Sequence, residues 1–153
     1  MADNVVVKTV KDKNGFLWIA THNGLSRFDG LKFKNYTHNP TDSNSLRSIW
    51  ISDLLIDDQQ TLWVSTEWGL CYYEPTKDKF VYINDKANIQ LVFKMPLCKD
   101  DNNNIWIAAE DGLKKVNCST KKYKNTSLKR IADPQFVVKD NTGNLIIGTR
   151  GRG

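Results

Sequence analysis

A thirteen-residue segment, Asp12 to Gly24, recurs three more times along the chain in altered form. It reads Asp-Lys-Asn-Gly-Phe-Leu-Trp-Ile-Ala-Thr-His-Asn-Gly, and its copies begin at Asp57, Asp100 and Asp140. The four units align on the anchor residues Trp18, Trp63, Trp106 and Ile146, which lie 45, 43 and 40 residues apart. A repeat of about 40 to 45 residues with strand-like cores is typical of β-propeller blades rather than of a single compact domain.

Each of the three anchor tryptophans lies in a short apolar run such as Leu17-Trp18-Ile19. Such runs are typical of strands buried on both faces between neighbouring sheets. Asn14-Gly15 and Asn23-Gly24 flank the first run, and these dipeptides favour the tight turns of β-hairpins. We therefore expect each anchor strand to have a hairpin on either side and its tryptophan to be buried between blades.

An aspartate precedes every anchor by six positions, at Asp12, Asp57, Asp100 and Asp140. Aspartate at the start of a turn accepts hydrogen bonds from the backbone N–H groups that follow it. A metal or catalytic role is the alternative, but a site residue has little reason to recur in every unit. We interpret these aspartates as structural.

The rest of each unit predicts a four-stranded antiparallel meander, which is one propeller blade. The units span about residues 5–37, 47–84, 90–126 and 135–153, and the last contains only two predicted strands. Pro96 interrupts the first strand of the third unit and predicts a bulge or an unpaired edge there. The fold class is all-β, a partial, open propeller of about three and a half blades that forms one domain over residues 1–153.

Composition excludes several classes of protein. The chain has 153 residues, of which 40% are hydrophobic and 25% charged, as in soluble globular domains. No apolar run approaches the roughly 20 residues that cross a bilayer, and the polar start Met1-Ala2-Asp3-Asn4 does not resemble a signal peptide. The three cysteines, Cys71, Cys98 and Cys118, lack metal-ligand spacing and predict neither zinc nor a disulfide framework.

The chain is basic, with a formal net charge of +5 and a pI of about 9.1. Many of the lysines alternate with apolar residues, as on the solvated face of an outer strand, and no nucleic-acid motif accompanies them. We therefore expect no nucleic-acid partner, while an acidic ligand stays an alternative. The cluster comprises Lys114, Lys115, Lys121, Lys122, Lys124, Lys129 and Arg130.

The pattern Asp-x-x-Gly-x-Leu-Trp-Ile-x-Thr-x-x-Gly-Leu-x-Arg-Phe-Asp at Asp12 to Asp29 resembles the two-component regulator propeller repeat. The polar connection from Tyr36 to Leu46 is similar to the linker between the first two repeats of those proteins. Ala109, Ile146 and the final Arg150-Gly151-Arg152-Gly153 depart from the pattern. The resemblance implies the start of the sensor region of a hybrid two-component protein of polysaccharide-degrading gut bacteria.

This resemblance also implies a periplasmic location, with membrane attachment only through other parts of the full-length protein. The first functional hypothesis is an oligosaccharide sensor, whose ligand could be acidic. The second is a protein-interaction propeller without a small ligand, and the third is a lyase or glycosidase. His22 and His38 are the only histidines, and neither has a Cys or His at ligand spacing, so we expect no catalytic residues, metal or cofactor.

Topology predicts where a ligand would bind. In a four-stranded blade, the turn between the second and third strands lies on the same face as the connection to the next blade. Trp68 is notable because Asn23 occupies the same turn position in the first unit. The Trp68 indole could stack on a sugar ring or fold over its own blade. Arginines on this face could bind an acidic group of the ligand, or they could be exposed to solvent without a ligand role. The candidate residues are His22, Asn23, Arg47, Trp50, Glu67, Trp68 and Arg150, together with the turn residues Glu110 and Asp111.

The incomplete fourth unit also predicts self-association. An arc that does not close leaves blade faces and strand edges exposed, and these surfaces normally contact a neighbouring blade. Two arcs could complete a ring of about seven or eight blades. A four-bladed closure within one chain is the alternative, and it requires Val5 to Val10 to pair beside Asn144 to Thr149.

Overall fold

The computed structural model describes residues 1–83, 96–109, 112–128, 131 and 134–151, and within these ranges the regular secondary structure is all β-strand. The first blade comprises β1 (Val6–Lys11), β2 (Leu17–Thr21), β3 (Gly24–Phe28) and β4 (Phe33–Tyr36). The second comprises β5 (Ile51–Ile56), β6 (Leu62–Thr66), β7 (Gly69–Glu74) and β8 (Lys79–Tyr82). The third comprises β9 (Leu97–Lys99), β10 (Asn104–Ala109), β11 (Gly112–Asn117) and β12 (Tyr123–Asn125), and the fourth unit has β13 (Pro134–Lys139) and β14 (Leu145–Thr149).

Every sheet is an antiparallel meander in which the strands follow their order in the chain. The first strands of the units lie next to one another, so that β1 contacts β5, β5 contacts β9 and β9 contacts β13. These four strands surround the axis of the arc. The predicted fold class is confirmed as all-β blades in an open arc. The predicted start of the third unit, near residue 90, lies outside the described residues, as do Glu110 and Asp111.

Apolar side chains fill the space between successive blades in three buried clusters. Trp18 lies between the first and second blades and contacts Tyr73 of β7, with ring centroids 4.9 Å apart. Trp63 is fully buried between the second and third blades, in a cluster that contains Val116 of β11. In both cases the third strand of the following blade covers the tryptophan. The predicted burial of Trp18 and Trp63 is confirmed.

Trp106 differs, because it is only partly buried against the third cluster. The fourth unit supplies Val137, Leu145 and Ile147 to this cluster from its two strands. Among the described residues it has no third strand, which is the element that covers Trp18 and Trp63 in the other blades. The prediction that Trp106 is buried like the other anchors was therefore wrong, because Trp106 is only partly buried whereas Trp18 and Trp63 are buried.

The repeated aspartate links a turn to the anchor strand. Asp12 Oδ1 accepts hydrogen bonds from the backbone N–H groups of Asn14 (2.9 Å) and Phe16 (3.1 Å), and its Oδ2 accepts one from Trp18 Nε1 (2.9 Å). Asp57 and Asp100 make the same three contacts in their own units. The structural interpretation of these aspartates is confirmed. The bond to the indole, which we call the Asp–Trp pin, explains the spacing of six residues in the three units that carry a tryptophan.

The fourth unit keeps the turn but replaces the pin. The Ile146 side chain has no N–H to donate, and Asn144 Nδ2 donates to Asp140 Oδ2 at 3.1 Å. The backbone N–H groups of Thr142 and Asn144 still donate to Asp140 Oδ1, at 2.9 and 2.8 Å. The Asp140 carboxylate thus keeps hydrogen-bond donors within its own turn, although the fourth unit has no indole at the anchor position.

Two of the lysines in the basic cluster are not solvated as predicted. Lys114 is buried, at 3% exposure, and lies near the Tyr123 ring. The Lys121 ammonium lies 4.5 Å from the centroid of the Trp63 ring, where burial lowers its pKa. Cation–π contact with an aromatic ring compensates an ammonium for lost water. Lys122 and Lys124 are exposed, as predicted.

Ion pairs join successive blades at the turn that contains the aspartates. Lys99 at the end of β9 pairs with Asp58 of the second blade at 2.5 Å, and Lys139 at the end of β13 pairs with Asp101 of the third. Both pairs are partly exposed, so each contributes little to stability.

The first prediction concerns the Asp–Trp pin. Trp63→Ala should lower the free energy of unfolding by about 3–5 kcal/mol because it empties a large buried volume. Trp63→Phe keeps most of that volume but leaves the buried Asp57 without its indole partner, and should cost about 1–3 kcal/mol. Urea unfolding measures both changes. Trp68→Ala, which removes an exposed indole, is the matched control, and an unchanged melting temperature in Trp63→Ala would contradict the blade assignment.

The second prediction concerns acid stability. Hydrogen bonds from the Thr142 and Asn144 side chains and from their backbone N–H groups lower the pKa of Asp140 from 3.8 to about 2. Because the folded chain holds the ionised form more strongly, this stability is fully present above about pH 4 and is lost as the pH falls towards 2. Asp140→Asn should therefore flatten the loss of stability in that window, measured as the difference from the parent chain. Equal slopes in the two proteins would overturn the assignment.

Candidate ligand site in the axial cleft

The first strands of three units share an irregularity at the same place. Register shifts occur in β1 between Val6 and Lys8, in β5 between Ile51 and Asp53, and in β13 between Pro134 and Phe136. The extra residues of these bulges are Val7, Ser52 and Gln135. Bulges redirect side chains and are common beside functional sites. Pro96 lies immediately before β9, outside the paired strand and one position after the equivalent of the bulged residues in the third unit.

The three bulged residues line one cavity, of about 480 Å³, on the axis of the arc. We call it the axial cleft. All four units contribute to it, since Lys8 comes from the first, Asp53 from the second, Pro96 from the third and Gln135 from the fourth. The lining residues are Val7, Lys8, His22, Trp50, Ile51, Ser52, Asp53, Glu67, Pro96 and Gln135.

His22 and Trp50 form the aromatic part of the axial cleft. Their ring centroids are 5.2 Å apart and the rings are inclined by 43°. Trp50 keeps 43% of its surface exposed, although it precedes a buried strand. Its backbone is held on both sides, because its N–H donates to Ser48 Oγ at 3.0 Å and its carbonyl accepts from the Glu67 N–H at 3.2 Å. The indole is therefore positioned by the connection between blades.

Asp53 is the buried acid of the axial cleft and connects three units. Its Oδ2 accepts a hydrogen bond from the backbone N–H of Leu97 in the third blade at 2.9 Å. Its Oδ1 lies 3.4 Å from Lys8 Nζ of the first blade. Asp53 is only 9% exposed, and a buried carboxylate needs such partners. Asp53 thus fixes the spacing of the strands around the axis.

Glu67 is the second acid of the axial cleft and is only partly buried. Ser48 Oγ lies 3.4 Å from Glu67 Oε2, which is a long hydrogen bond. The side chain belongs to the turn between β6 and β7, so it reaches the cleft from the rim. It supplies an acceptor at the opening, while Asp53 supplies one deeper inside.

Three of the predicted residues, His22, Trp50 and Glu67, are brought together in this cleft. The other four lie elsewhere on the surface, since Asn23, Arg47, Trp68 and Arg150 do not line it. The Arg47 guanidinium stacks on the Tyr82 ring, 4.3 Å from its centroid. Arg150 is exposed.

Trp68 is 63% exposed, so it does not fold over its own blade. The turn needs no unusual backbone conformation at Trp68, because the positive φ in this turn falls on Gly69, at 125°. The equivalent Gly24 has a φ of 113°, and a Cβ there would meet the Tyr36 carbonyl at 2.5 Å. Glycine thus absorbs the strain of the turn, and the preceding position accepts either Asn or Trp.

Sequence reasoning missed the residues that the inner strands contribute to the axial cleft, which are Val7, Lys8, Ser52, Asp53 and Gln135. A bulge leaves no signal in the amino-acid sequence, so the sequence did not show whether these side chains point towards the axis or away from it. Asp53 carried the one available signal, because a charged residue stood inside the apolar sequence Ile-Ser-Asp-Leu-Leu-Ile.

The axial cleft therefore offers an aromatic wall, two carboxylates, an ammonium, a hydroxyl and an amide. Such a set suits recognition of a hydroxyl-rich ligand. In the described parts of the chain, no group of three His, Cys, Asp or Glu side chains is placed to hold a metal ion. Across the same residues, no helix is long and apolar enough to cross a membrane.

Residues 1–23 match the family described as two-component regulator propeller. This part of the chain is thus similar to a two-component regulator propeller repeat. A curated relative, histidine kinase P4 of Formosa agariphila, is 44% identical over 46 residues, which are 30% of this chain and 3% of that protein.

Solved structures support the fold. The extracellular domain of a putative hybrid two-component system of B. thetaiotaomicron superposes with a TM-score of 0.78 at 23% identity, over 97% of this chain and 22% of that one. A second such domain from the same organism gives 0.68 at 17% identity, over 95% and 19%. A streptogramin B lyase gives 0.64 at 15% identity, over 97% and 56%. The chain spans about a fifth of the two-component domains it resembles.

Proposed function

We propose that this chain is part of the extracytoplasmic sensor region of a hybrid two-component protein and binds an oligosaccharide through its propeller face. The observation that carries the proposal is the axial cleft, in which an exposed indole and several hydrogen-bonding groups converge from four units. The repeat family and the likeness to extracellular domains of two-component systems support the sensor assignment.

A saccharide suits the chemistry of this face. The apolar side of a sugar ring packs on an aromatic face, while its hydroxyls need donors and acceptors around the edge. Trp50 and Trp68 are both substantially exposed, at 43% and 63%. Trp50 lies on the connection between the first two blades, and Trp68 lies on the turn between β6 and β7. The hydrogen bond from the Glu67 N–H to the Trp50 carbonyl joins these two segments. One face thus carries two aromatic platforms.

The signalling steps belong to the longer protein. We infer a periplasmic location, and we infer that ligand binding here alters the conformation of the sensor region while a kinase elsewhere in the polypeptide responds. The chain itself is not catalytic in this proposal. The lyase likeness concerns the fold alone, since it rests on 15% identity.

A protein-interaction propeller is the second candidate, and one observation favours it. The outer face of the fourth unit exposes Phe136 (47%), Val138 (45%) and Ile146 (50%), which form an apolar patch on paired strands. Exposed apolar patches mark interaction surfaces. The interaction that we propose there is with a second copy of this chain.

The third prediction tests ligand binding. Calorimetry and a glycan array, run on the 153-residue chain with neutral and acidic oligosaccharides, should give a binder whose affinity falls at least about tenfold in a Trp50→Ala, Trp68→Ala double variant. A Lys122→Ala variant, which changes an exposed residue away from this face, is the control. Failure of every saccharide to bind would favour the interaction propeller.

The fourth prediction tests self-association. Light scattering should show species larger than the 17.5 kDa chain at high concentration, and Ile146→Lys should shift them to the monomer because it places a charge in the apolar patch. Lys124→Glu, on another exposed surface, is the matched control. A monomer at millimolar concentration, unaffected by Ile146→Lys, would reject the contact.

A further inference from the structure

We infer that the axial cleft recognises a neutral sugar unit rather than a uronate or a sulfated sugar. This inference rests on the proposed function and names both the subsite and the ligand class. The alternative of an acidic ligand rested on the basic cluster and on arginines of the same face, and neither Arg47 nor Arg150 lines the cleft.

The aromatic wall sets the shape of the subsite. The His22 and Trp50 rings are inclined by 43° with centroids 5.2 Å apart, so together they form an angled surface. The cavity beside them has about 480 Å³, which is within the usual range for small-ligand sites. One sugar ring can pack on this surface with its edge directed towards the axis.

The polar groups lie where the edge of that ring would be. The bulges bring Ser52 and Gln135 into the cleft from opposite sides of the arc, and Asp53 lies between the two strands that carry Lys8 and Leu97. Glu67 reaches the cleft from the rim. Carboxylate oxygens accept hydrogen bonds and cannot donate them while ionised. Sugar hydroxyls, which donate, therefore match this lining.

Charge decides between neutral and acidic sugars. The axial cleft is lined by two carboxylates, Asp53 and Glu67, and by one ammonium, Lys8. Lys8 lies 3.4 Å from Asp53 Oδ1, so its charge is already compensated. Among the described residues that line the cleft, no further cation would compensate a bound carboxylate or sulfate facing Glu67, and like charges that lose water repel strongly. A neutral sugar avoids this cost.

The experiment compares matched ligands on the 153-residue chain. Calorimetry is run with galactan and galacturonan fragments, and with mannan and mannuronan fragments, of equal length. The neutral member of at least one pair should bind at least about tenfold more tightly. Trp50→Ala should weaken that binding by a similar factor, whereas Lys122→Ala, the control, should change it less than about twofold. Trp68→Ala tests the outer turn and should lower the affinity less than Trp50→Ala does. Glu67→Gln should reduce the difference in affinity between the neutral and acidic members of each pair. Melting temperatures verify that each variant is folded.

The outcomes separate this inference from the proposed function. If the uronate fragments bind as tightly as the neutral ones, the ligand class is wrong although the sensor proposal stands. If Trp68→Ala abolishes binding and Trp50→Ala does not, the subsite is wrong and the ligand sits on the outer turn. If no fragment of either class binds, both the proposed function and the inference fail.

Discussion

The hydrogen bond between an aspartate and the indole six residues later holds each complete blade together. In the second blade it joins a fully buried Trp63 to Asp57, which is itself only 2% exposed. The same carboxylate accepts two backbone N–H groups, so one side chain satisfies the turn and orients the largest residue of the inter-blade core. Buried polar groups cost free energy unless they are paired, so turn and core depend on each other. The fourth unit lacks the indole, and a local amide replaces it.

Packing between blades follows from this arrangement. Each oriented tryptophan is covered by the third strand of the next blade, as Tyr73 covers Trp18. The arc is therefore directional, with every blade completing the one before it. Trp106 shows the consequence, because among the described residues the unit after it has only two strands, and the Trp106 side chain stays partly exposed. The apolar patch on the fourth unit has the same origin, because no further described blade packs on it.

The candidate site depends on departures from regular strand pairing. Bulges at Val7, Ser52 and Gln135 recur at one level of the inner strands and turn side chains towards the axis. Asp53 then ties the first three units around the cleft, through Lys8 and the Leu97 N–H. The regular part of the repeat provides stability, and the bulged level provides a surface on which units can differ. Lys8, Asp53 and Pro96 are such differences.

The repeat period, the anchor runs and the turn glycines determined the blades, because these signals are local and each recurs. They also determined that His22, Trp50 and Glu67 share a face, since strand order alone places turns and connections together. Tertiary structure decided the rest. The indole partner of Asp12, the burial of Lys114 and the partial exposure of Trp106 depend on which strand packs against which. The bulged residues of the axial cleft were equally hidden, because a one-residue shift of register reverses the direction of a side chain and leaves the sequence pattern unchanged.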